Sequence, residues 1–389
     1  MAAAFLPRRL LAVLLTLAVL AAGLAAVRPQ TARAAPASGV SRVSVRAALA
    51  GTGSGDIALV DQVTPRPSTN GRRILCVDGD YYRKAARDTV ENVREKARAG
   101  TPVVFIGGDI NSLSLTLGGP VEGAANASAK PAAEIGALKL TPGPDGQPVF
   151  NGFRVVGGST DLRSAMSGVR RWLAEAEQPA KVQADASWQR RAWFRLYSGD
   201  SVEPYGKMCI DRYYYRLGND GNASFDYISA EIRYEQMSGQ AAYGQNWKNE
   251  WAYQYCNVKT YQPRNTLLRY GPSSTVGQVS TSYSLGVTGS EKGVGLSATY
   301  SQGYSQPDVT CSNSSDLGGG YTRHKWSIGK SSTTATSTFV ADSSGFTYQH
   351  AASDGPASHY EKFQSQWKQY HWYGDKWHWA SWTRQVSGL

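Results

Sequence analysis

The order of apolar and polar residues changes character roughly halfway along the chain. In the first part, continuous apolar runs such as Ile74–Val77 and Val103–Ile106 stop at Gly and Asp residues, and a segment with helical periodicity separates them. Continuous apolar strands that alternate with an amphipathic helix are typical of βαβ units, in which helices cover a parallel sheet. The pattern therefore predicts a small α/β domain over residues 71–180.

Two amphipathic helices are predicted within this part. One lies in the segment 81–100 and ends at Gly100, and the other follows Thr160, which is suited to cap its first turn. The low-complexity stretch 118–135 between them predicts a surface loop. Their apolar faces comprise Ala86, Val90, Val93 and Ala97 in the first helix, and Leu162, Ala165, Met166, Val169 and Leu173 in the second.

Regular short strands dominate from about Trp188 onward, where Tyr, Trp, Ser, Thr and Gly replace the helical pattern. The turn sequence GNDGN at 218–222 predicts one hairpin. Short strands with period-two alternation and frequent turn signals are typical of antiparallel sandwiches. We therefore predict an α+β chain of two domains, a small α/β parallel-sheet domain followed by an antiparallel, sandwich-like β-rich domain over residues 188–389.

The segment from Val279 to Gln302 is predicted to form a further hairpin. Its two strands, 279–287 and 294–302, have nine residues each, and a tilted membrane strand needs about 9–11 residues. Apolar and small polar residues alternate, as lipid-facing and lumen-facing positions do in a membrane barrel. A soluble hairpin on a sandwich shows the same alternation, so both interpretations stay open. The candidate membrane-spanning positions are Val279, Tyr283, Leu285, Val287, Val294, Leu296 and Tyr300.

A targeting segment is predicted at the N-terminus. Arg8 and Arg9 form a basic start, an apolar run of 18 residues follows, and Ala32 and Ala34 make a small-x-small cleavage pattern. We interpret residues 1–34 as a signal peptide and residues 35–70 as a linker or arm. An uncleaved membrane anchor is the alternative, because the apolar run is close to the length of a spanning helix. A secreted, extracellular protein is therefore expected.

The chain is basic, with a formal net charge of +11 that includes four arginines within residues 1–34. The remaining excess suits an anionic membrane surface or a cell-wall polymer, although a modest excess is also typical of an ordinary solvated surface. Secretion argues against nucleic acid as a partner. The partners that we expect are membrane lipid or cell-surface glycan, and we expect no cofactor and no metal.

The chain has four cysteines. In an oxidising compartment they allow three complete pairings, and the sequence leaves all three open. Cys209 and Cys256 both fall in predicted strands and are the preferred disulfide candidates. Cys76 lies inside an apolar strand and also fits a buried thiol without a partner.

A D-x-D motif, formed by Asp78 and Asp80, follows the first buried strand, at the edge where open α/β sheets bind ligands. It resembles the start of haloacid-dehalogenase-type phosphatases, in which the first Asp acts as nucleophile and the second as general acid, with Mg²⁺. The further motifs of that class are missing or poor in this chain. An ordinary turn at the strand end is the alternative, since Asp and Gly favour turns.

The first part also resembles flavodoxin-like domains related to class I glutamine amidotransferases. In those enzymes a Cys sits on the sharp turn after a strand and a His serves as base. Here Cys76 lies within its strand, and all five histidines occur at or after His324. The base is therefore missing from this part of the chain. We predict no catalytic residues, and a Mg²⁺-dependent hydrolase that uses Asp78 and Asp80 is kept as an alternative.

The C-terminal segment is dense in aromatic residues with interleaved lysines and arginine. Trp and Tyr suit a membrane interface, because one end of each side chain is apolar and the other tolerates water. They suit stacking on sugar rings equally well, and an aromatic core that closes a sandwich is the plain structural alternative. The candidate membrane or glycan contacts are Trp367, Trp372, Trp377, Trp379 and Trp382.

Two segments resemble the stem-forming region of the leukocidin/hemolysin family of β-pore-forming toxins. They are STSYSLG at 280–286 and LSATYSQGYSQPDVT at 296–310, which flank a Gly- and Ser-rich turn. The resemblance implies a hairpin that enters a barrel together with hairpins of sister copies, and aromatic segments elsewhere that contact lipid head groups. The first part of the chain has no counterpart in that family.

We therefore expect a secreted, non-enzymatic protein that engages a membrane or cell envelope, as a β-pore-forming, leukocidin-like subunit. Pore formation would require a homo-oligomer on the membrane. The competing hypotheses are an extracellular glycan-binding or adhesive module and the Mg²⁺-dependent hydrolase.

Overall fold

Two large sheets, one two-stranded hairpin and a few short helices make up the part of the chain that the structure describes. This computed structural model describes residues 57–59, 74–79, 82, 85–106, 110–124, 135–143, 145–156, 162–176, 188–218, 222–273, 276–277, 281–290, 293–302 and 308–389. The predicted signal peptide and the rest of the segment 1–56 lie outside the described residues.

The helices are α1 (Arg87–Arg98), α2 (Asn111–Thr116), α3 (Leu162–Ala176), α4 (Gly239–Tyr243) and α5 (Thr333–Thr336). The strands are β1 (Ile57–Leu59), β2 (Ile74–Asp78), β3 (Val103–Ile106), β4 (Val121–Ala124), β5 (Ile135–Pro142), β6 (Pro148–Val155), β7 (Trp188–Tyr197), β8 (Gly206–Leu217), β9 (Phe225–Ser238), β10 (Lys248–Asn257), β11 (Thr266–Gly271), β12 (Val276–Gly277), β13 (Thr281–Ser290), β14 (Gly293–Gln302), β15 (Val309–Asn313), β16 (Tyr321–Ile328), β17 (Thr338–Ala351), β18 (Ser358–Gln369) and β19 (Lys376–Ser387).

The larger sheet is mixed and has ten strands in the order β1-β2-β3-β5-β6-β7-β8-β9-β17-β11. Strands β1, β2 and β3 are parallel, as the apolar runs predicted, and β6 pairs in parallel with β7. The remaining pairs are antiparallel, including β3–β5 and β5–β6. The α+β fold class is confirmed. The β6–β7 pair joins the two predicted domains in one sheet, and their division into separate domains stays a prediction.

The smaller sheet is antiparallel and has seven strands in the order β12-β15-β16-β10-β18-β19-β4. It packs against the larger sheet around buried aromatic side chains, among which the ring of Tyr234 lies 6.2 Å from Trp326 and 6.3 Å from Phe363. The edge strand β4 comes from the stretch that was predicted to be a loop. That prediction is wrong for Val121–Ala124, because β4 pairs with β19, about 260 residues later.

The helices follow the predicted periodicity. In α1, Val93 and Ala97 are buried, whereas Ala86 is exposed just before the first turn. In α3 four residues of the predicted face are buried together with Trp172, which has no exposed surface. The predicted N-cap Thr160 lies outside the described residues. The buried members of the predicted α3 face are Ala165, Met166, Val169 and Leu173.

The four cysteines are all free and buried. The expectation of a Cys209–Cys256 disulfide is therefore wrong in this structure. The neighbours of Cys209 in β8, Met208 and Ile210, face the core between the sheets, so Cys209 faces the opposite side, beside Arg195. Cys256 lies in the core between the sheets. Burial raises the pKa of the Cys209 thiol to about 12, so it is a protonated thiol at neutral pH.

A buried ion cluster connects the two sheets. The guanidinium of Arg212 in β8 has no exposed surface and contacts the carboxylates of Glu122 in β4 and Glu361 in β18. Glu361 also accepts hydrogen bonds from the Tyr214 hydroxyl at 2.6 Å and from His359 at 2.9 Å. Because each carboxylate comes from the smaller sheet and Arg212 from the larger one, the cluster fixes their relative position.

Substitution of Arg212 with Met should destabilise the fold severely. It would leave the buried carboxylate of Glu361 without its arginine and that of Glu122 with only Arg154 at 3.7 Å. Removal of one partner from a buried ion pair costs about 3–5 kcal/mol. Urea unfolding measures the loss. The control is Arg98→Met, which removes a surface arginine paired with Glu91 and should leave stability almost unchanged. Equal stability of the two variants would contradict the structural role of Arg212.

Acidification should weaken the fold through Glu361. Burial alone would raise its pKa, but the hydrogen bond from His359, the charge of Arg212 and the hydrogen bond from Tyr214 lower it from 4.5 to about 2. The stabilisation is therefore fully present above pH 4.5 and is lost as the pH falls through 2, by about 3 kcal/mol in total. The stability gap between the native chain and Glu361→Gln should narrow between pH 5 and pH 2 in urea unfolding. A gap independent of pH would contradict this assignment.

Candidate functional site

The most exposed aromatic side chains in the described part of the chain lie on the turn between β18 and β19 and at the start of β19. We call Trp372, Tyr373, Trp377 and Trp379 the aromatic tip. Trp372 is 96% exposed, Trp377 63%, Tyr373 62% and Trp379 58%. Side chains of this size are rarely left so open, and a cluster of them marks a contact surface more often than an isolated exposed residue does.

The pairing of β18 with β19 explains which tryptophans reach the surface. Trp377 pairs with Lys368 and Trp379 with Gln366, all on the side of the sheet that faces away from the core. Trp367 and Trp382 alternate with them and therefore face inward. The predicted contacts Trp372, Trp377 and Trp379 are thus exposed together, whereas Trp367 and Trp382 are not part of that surface.

Trp367 is a core residue in this structure. It has no exposed surface, and its indole Nε1 donates a hydrogen bond to the Met237 carbonyl at 2.9 Å. Gly206 makes room for it, because a Cβ at this position would overlap the indole. Trp382 is half-buried and packs against the same core. The prediction that Trp367 contacts a membrane or glycan is not compatible with this burial.

Lysine side chains surround Tyr370, next to the aromatic tip. The Nζ atoms of Lys330, Lys368 and Lys248 lie 4.4, 4.8 and 5.9 Å from the centre of its ring. Such distances allow cation–π attraction. Lys368 is also paired with Asp375 at 3.1 Å and Glu250 at 3.5 Å. The tip is therefore bordered by a cluster with more cations than carboxylates.

On the side of the seven-stranded sheet that faces away from the core, the residues of β10, β16 and β18 were missed in the sequence analysis. We call this part of that side the outer face. Its signal is the alternation in NEWAYQYCNVK, where aromatic residues of β10 take every second position between the buried Ala252, Gln254 and Cys256. The outer face comprises Trp251, Tyr253 and Tyr255 of β10, Arg323 and Lys325 of β16, and Tyr360, Lys362, Gln364 and Gln366 of β18.

The predicted hairpin is confirmed as strands β13 and β14, which pair antiparallel from Thr281↔Gln302 to Ser290↔Gly293. In this register apolar residues stand opposite apolar or small ones, in the pairs Tyr283↔Tyr300, Leu285↔Ala298 and Val287↔Leu296. Val294 pairs with Gly289, and Val279 lies outside the described residues. The hairpin lies beside β17 of the larger sheet.

The residues of the hydrolase hypothesis, Asp78 and Asp80, are only partly within the described residues. Asp78 is the last residue of β2, and its side chain and Asp80 lie outside the described residues. Within the described part of the chain, no three His, Cys, Asp or Glu side chains are grouped so that they could hold a metal ion. The phosphatase hypothesis therefore stays a prediction without a described site.

The buried histidines have partners within the fold. His324 lies 2.9 Å from the Pro272 carbonyl, His350 2.8 Å from the Asn265 side chain, and His359 2.9 Å from Glu361. Burial lowers the pKa of His324 to about 4, against the effect of its hydrogen bond, so its ring is neutral at neutral pH. His378 stacks on Tyr205 at 3.6 Å.

Among the described residues, no helix has both the length and the apolar character needed to cross a membrane. No protein-family model matches this chain, and no curated protein matches it. Among solved structures, it is similar to the delta-toxin of Clostridium perfringens, with 7% identity over 51% of this chain and 89% of the toxin, at a TM-score of 0.31. It is also similar to the Clostridium perfringens NetB toxin in the membrane inserted form, with 9% identity over 50% of this chain and 96% of the toxin, at a TM-score of 0.27. TM-scores this low carry no functional inference.

Proposed function

We propose that this chain is a secreted, non-enzymatic protein that binds membranes through the aromatic tip. In a membrane-bound oligomer, the β13–β14 hairpin would supply the spanning strands of a β-barrel pore. The observation that carries the first part is the exposure of Trp372 on the β18–β19 turn together with Trp377 and Trp379 at the start of β19. The second part rests on the register of the hairpin.

The aromatic tip has the chemistry of a bilayer interface. Indole and phenol rings combine a large apolar area with a polar atom, and they concentrate where hydrocarbon meets head groups. In water the exposed rings of Trp372 and Trp377 add no buried apolar area to the folded state, whereas partial insertion into a bilayer would remove their apolar area from water. Membrane contact thus accounts for an exposure that the stability of the monomer does not require.

The lysines around Tyr370 favour an anionic membrane. Lys248, Lys330 and Lys368 border the tip, and Lys376 is exposed at the start of β19. Each basic residue close to an anionic surface contributes about 1 kcal/mol of attraction, which salt screens. The carboxylates of Glu250 and Asp375 offset part of this attraction. We therefore expect a preference for anionic lipid that weakens at high salt, on top of aromatic insertion.

The hairpin has the length and alternation of a membrane strand pair. β13 and β14 contain ten residues each, and a spanning strand needs about 9–11. A lone hairpin in lipid would leave backbone groups at its edges without hydrogen bonds, so spanning requires closure with sister copies. In the monomer the hairpin lies next to β17. Pore formation would then require the hairpin to leave β17 and enter a barrel.

Glycan binding through the same tip is the second candidate function. Exposed tryptophans on a turn can also stack on sugar rings, and Trp372 is almost fully exposed. The two functions separate experimentally. A glycan binder should be retained on polysaccharide columns and lose retention when Trp372, Trp377 or Trp379 is changed to Ala, without binding lipid vesicles.

The triple variant Trp372→Ser/Trp377→Ser/Trp379→Ser should bind vesicles far more weakly than the native chain. Burial of a large apolar side chain is worth about 1.5–3 kcal/mol, so we expect a loss of roughly tenfold or more for each tryptophan. Flotation with phosphatidylcholine–phosphatidylglycerol vesicles measures the affinity. Leu115→Ser serves as control, because Leu115 is 67% exposed in α2. Undiminished binding by the triple variant would rule out the tip as the contact.

A charge at an apolar position of the hairpin should block pore formation without preventing membrane binding. Leu285→Lys would place a lysine at an apolar position of the barrel, at a cost of about 2–4 kcal/mol per copy near the bilayer centre. Ser284→Lys is the matched control at the next position. Dye release from vesicles should be lost in the first variant and kept in the second. Equal dye release from both variants, or none from the native chain, would contradict the pore hypothesis.

A further inference from the structure

The outer face combines aromatic rings with cations that have no carboxylate partner. Arg323, Lys325 and Lys362 form no ion pair with any carboxylate of the described residues. In the sheet register, Tyr255 stands between Arg323 and Lys362, and Tyr253 stands between Lys325 and Gln364. The charged residues in these two rows are all basic.

Aromatic rings hold two of these cations, Arg323 and Lys325, in place. The guanidinium of Arg323 lies 5.1 Å from the ring centre of Tyr321 and 5.5 Å from that of Tyr255, and the Lys325 ammonium lies 5.2 Å from Trp251. Cation–π contacts orient a charged group without neutralising it. Arg323 and Lys325 are both exposed. Their donors are therefore preorganised for an anion that the protein itself does not supply.

We infer that the outer face is a binding site for an acidic polysaccharide, a glycan chain that carries carboxylates or sulfates. Strand geometry separates the Cα atoms of Arg323 and Lys325 by about 7 Å along β16, and those of Arg323 and Lys362 by about 10 Å across β10. Such an array matches anions that repeat along an extended chain. An extended chain with several anions can pair each of the three cations with a group of its own, which one small anion cannot do.

The groups between the cations favour a sugar chain. Tyr253, Gln364 and Gln366 lie on the same face and are half-buried. Their hydroxyl and amide groups can both donate and accept hydrogen bonds. A ligand that fits must therefore place hydrogen-bonding groups between its anions. Sugar rings carry hydroxyls around their edges and meet this requirement, so the arrangement of neutral and charged groups favours a polysaccharide.

Single-stranded nucleic acid fits the same face less well. Proteins bind it by stacking bases on open aromatic rings. Here the faces of Tyr255, Tyr321 and Trp251 already carry cations, which stacking would have to displace. An anionic membrane also fits less well, because the aromatic residues of β10 are half-buried and cannot reach into a bilayer.

Heparin is a suitable probe for the inference. The triple variant Arg323→Gln/Lys325→Gln/Lys362→Gln should bind heparin at least about tenfold more weakly than the native chain in calorimetry at physiological salt. The matched control is Arg87→Gln/Lys96→Gln/Arg98→Gln in α1, which removes the same charge elsewhere and should keep its affinity. An equal loss in both triple variants, or no loss in either, would overturn the inference.

Two further comparisons test the chemistry of the ligand. Tyr253→Phe/Gln364→Leu should weaken heparin binding severalfold without changing its salt dependence, because hydrogen bonds and not charges are removed. Unaltered affinity of this variant would overturn the assignment to a sugar chain. Tighter binding of a single-stranded DNA of matched charge would also overturn it. The tip variant Trp372→Ser/Trp377→Ser/Trp379→Ser should keep its heparin affinity, and loss of binding in this variant alone would move the site to the tip.

Discussion

The burial of Arg212 between two carboxylates is the constraint on which the arrangement of the sheets depends. A guanidinium without exposed surface is tolerated only when its charge is compensated. Glu122 and Glu361 supply the compensation, and both belong to the smaller sheet. Arg154, from β6, lies 3.7 Å from Glu122 and extends the cluster. The sheets cannot shift relative to each other without leaving a charge unpaired in a medium of low dielectric.

This cluster also explains why a short strand from the first half of the chain belongs to the second sheet. β4 has only four residues and pairs with the edge of β19. Backbone pairing over this length would be marginal without a further anchor. Glu122 provides the anchor, since its side chain reaches Arg212 and its backbone exchanges hydrogen bonds with the Asn111 side chain at 2.7 and 3.0 Å. The strand thereby covers an edge that would otherwise be open for pairing with another chain.

Features that depend on a local sequence pattern could be predicted, whereas features that depend on pairing with a distant strand could not. The helices α1 and α3 and the β13–β14 hairpin depend on periodicity and turn residues within one segment, and they were predicted at nearly the observed positions. The position of β4 depends on a partner strand far along the chain, and nothing within residues 118–135 indicates that partner. For the same reason a dense run of tryptophans predicted a single surface, although the pairing of β18 with β19 sends Trp367 inward and Trp377 outward. The outer face was missed because its rows combine β10, β16 and β18.

The two sides of the seven-stranded sheet differ in how their charged residues are paired. On the inner side Glu361 lies among apolar and aromatic residues and pairs with Arg212. On the outer side Arg323 and Lys325 lie above aromatic rings and no described carboxylate pairs with them. The chain is basic overall, and part of its acidic complement is committed to buried pairs. The interaction of Arg212 with Glu122 and Glu361 fixes the sheets and so gives the outer face a rigid support. Rigidity and unpaired charge together make that face suited to an extended anionic ligand.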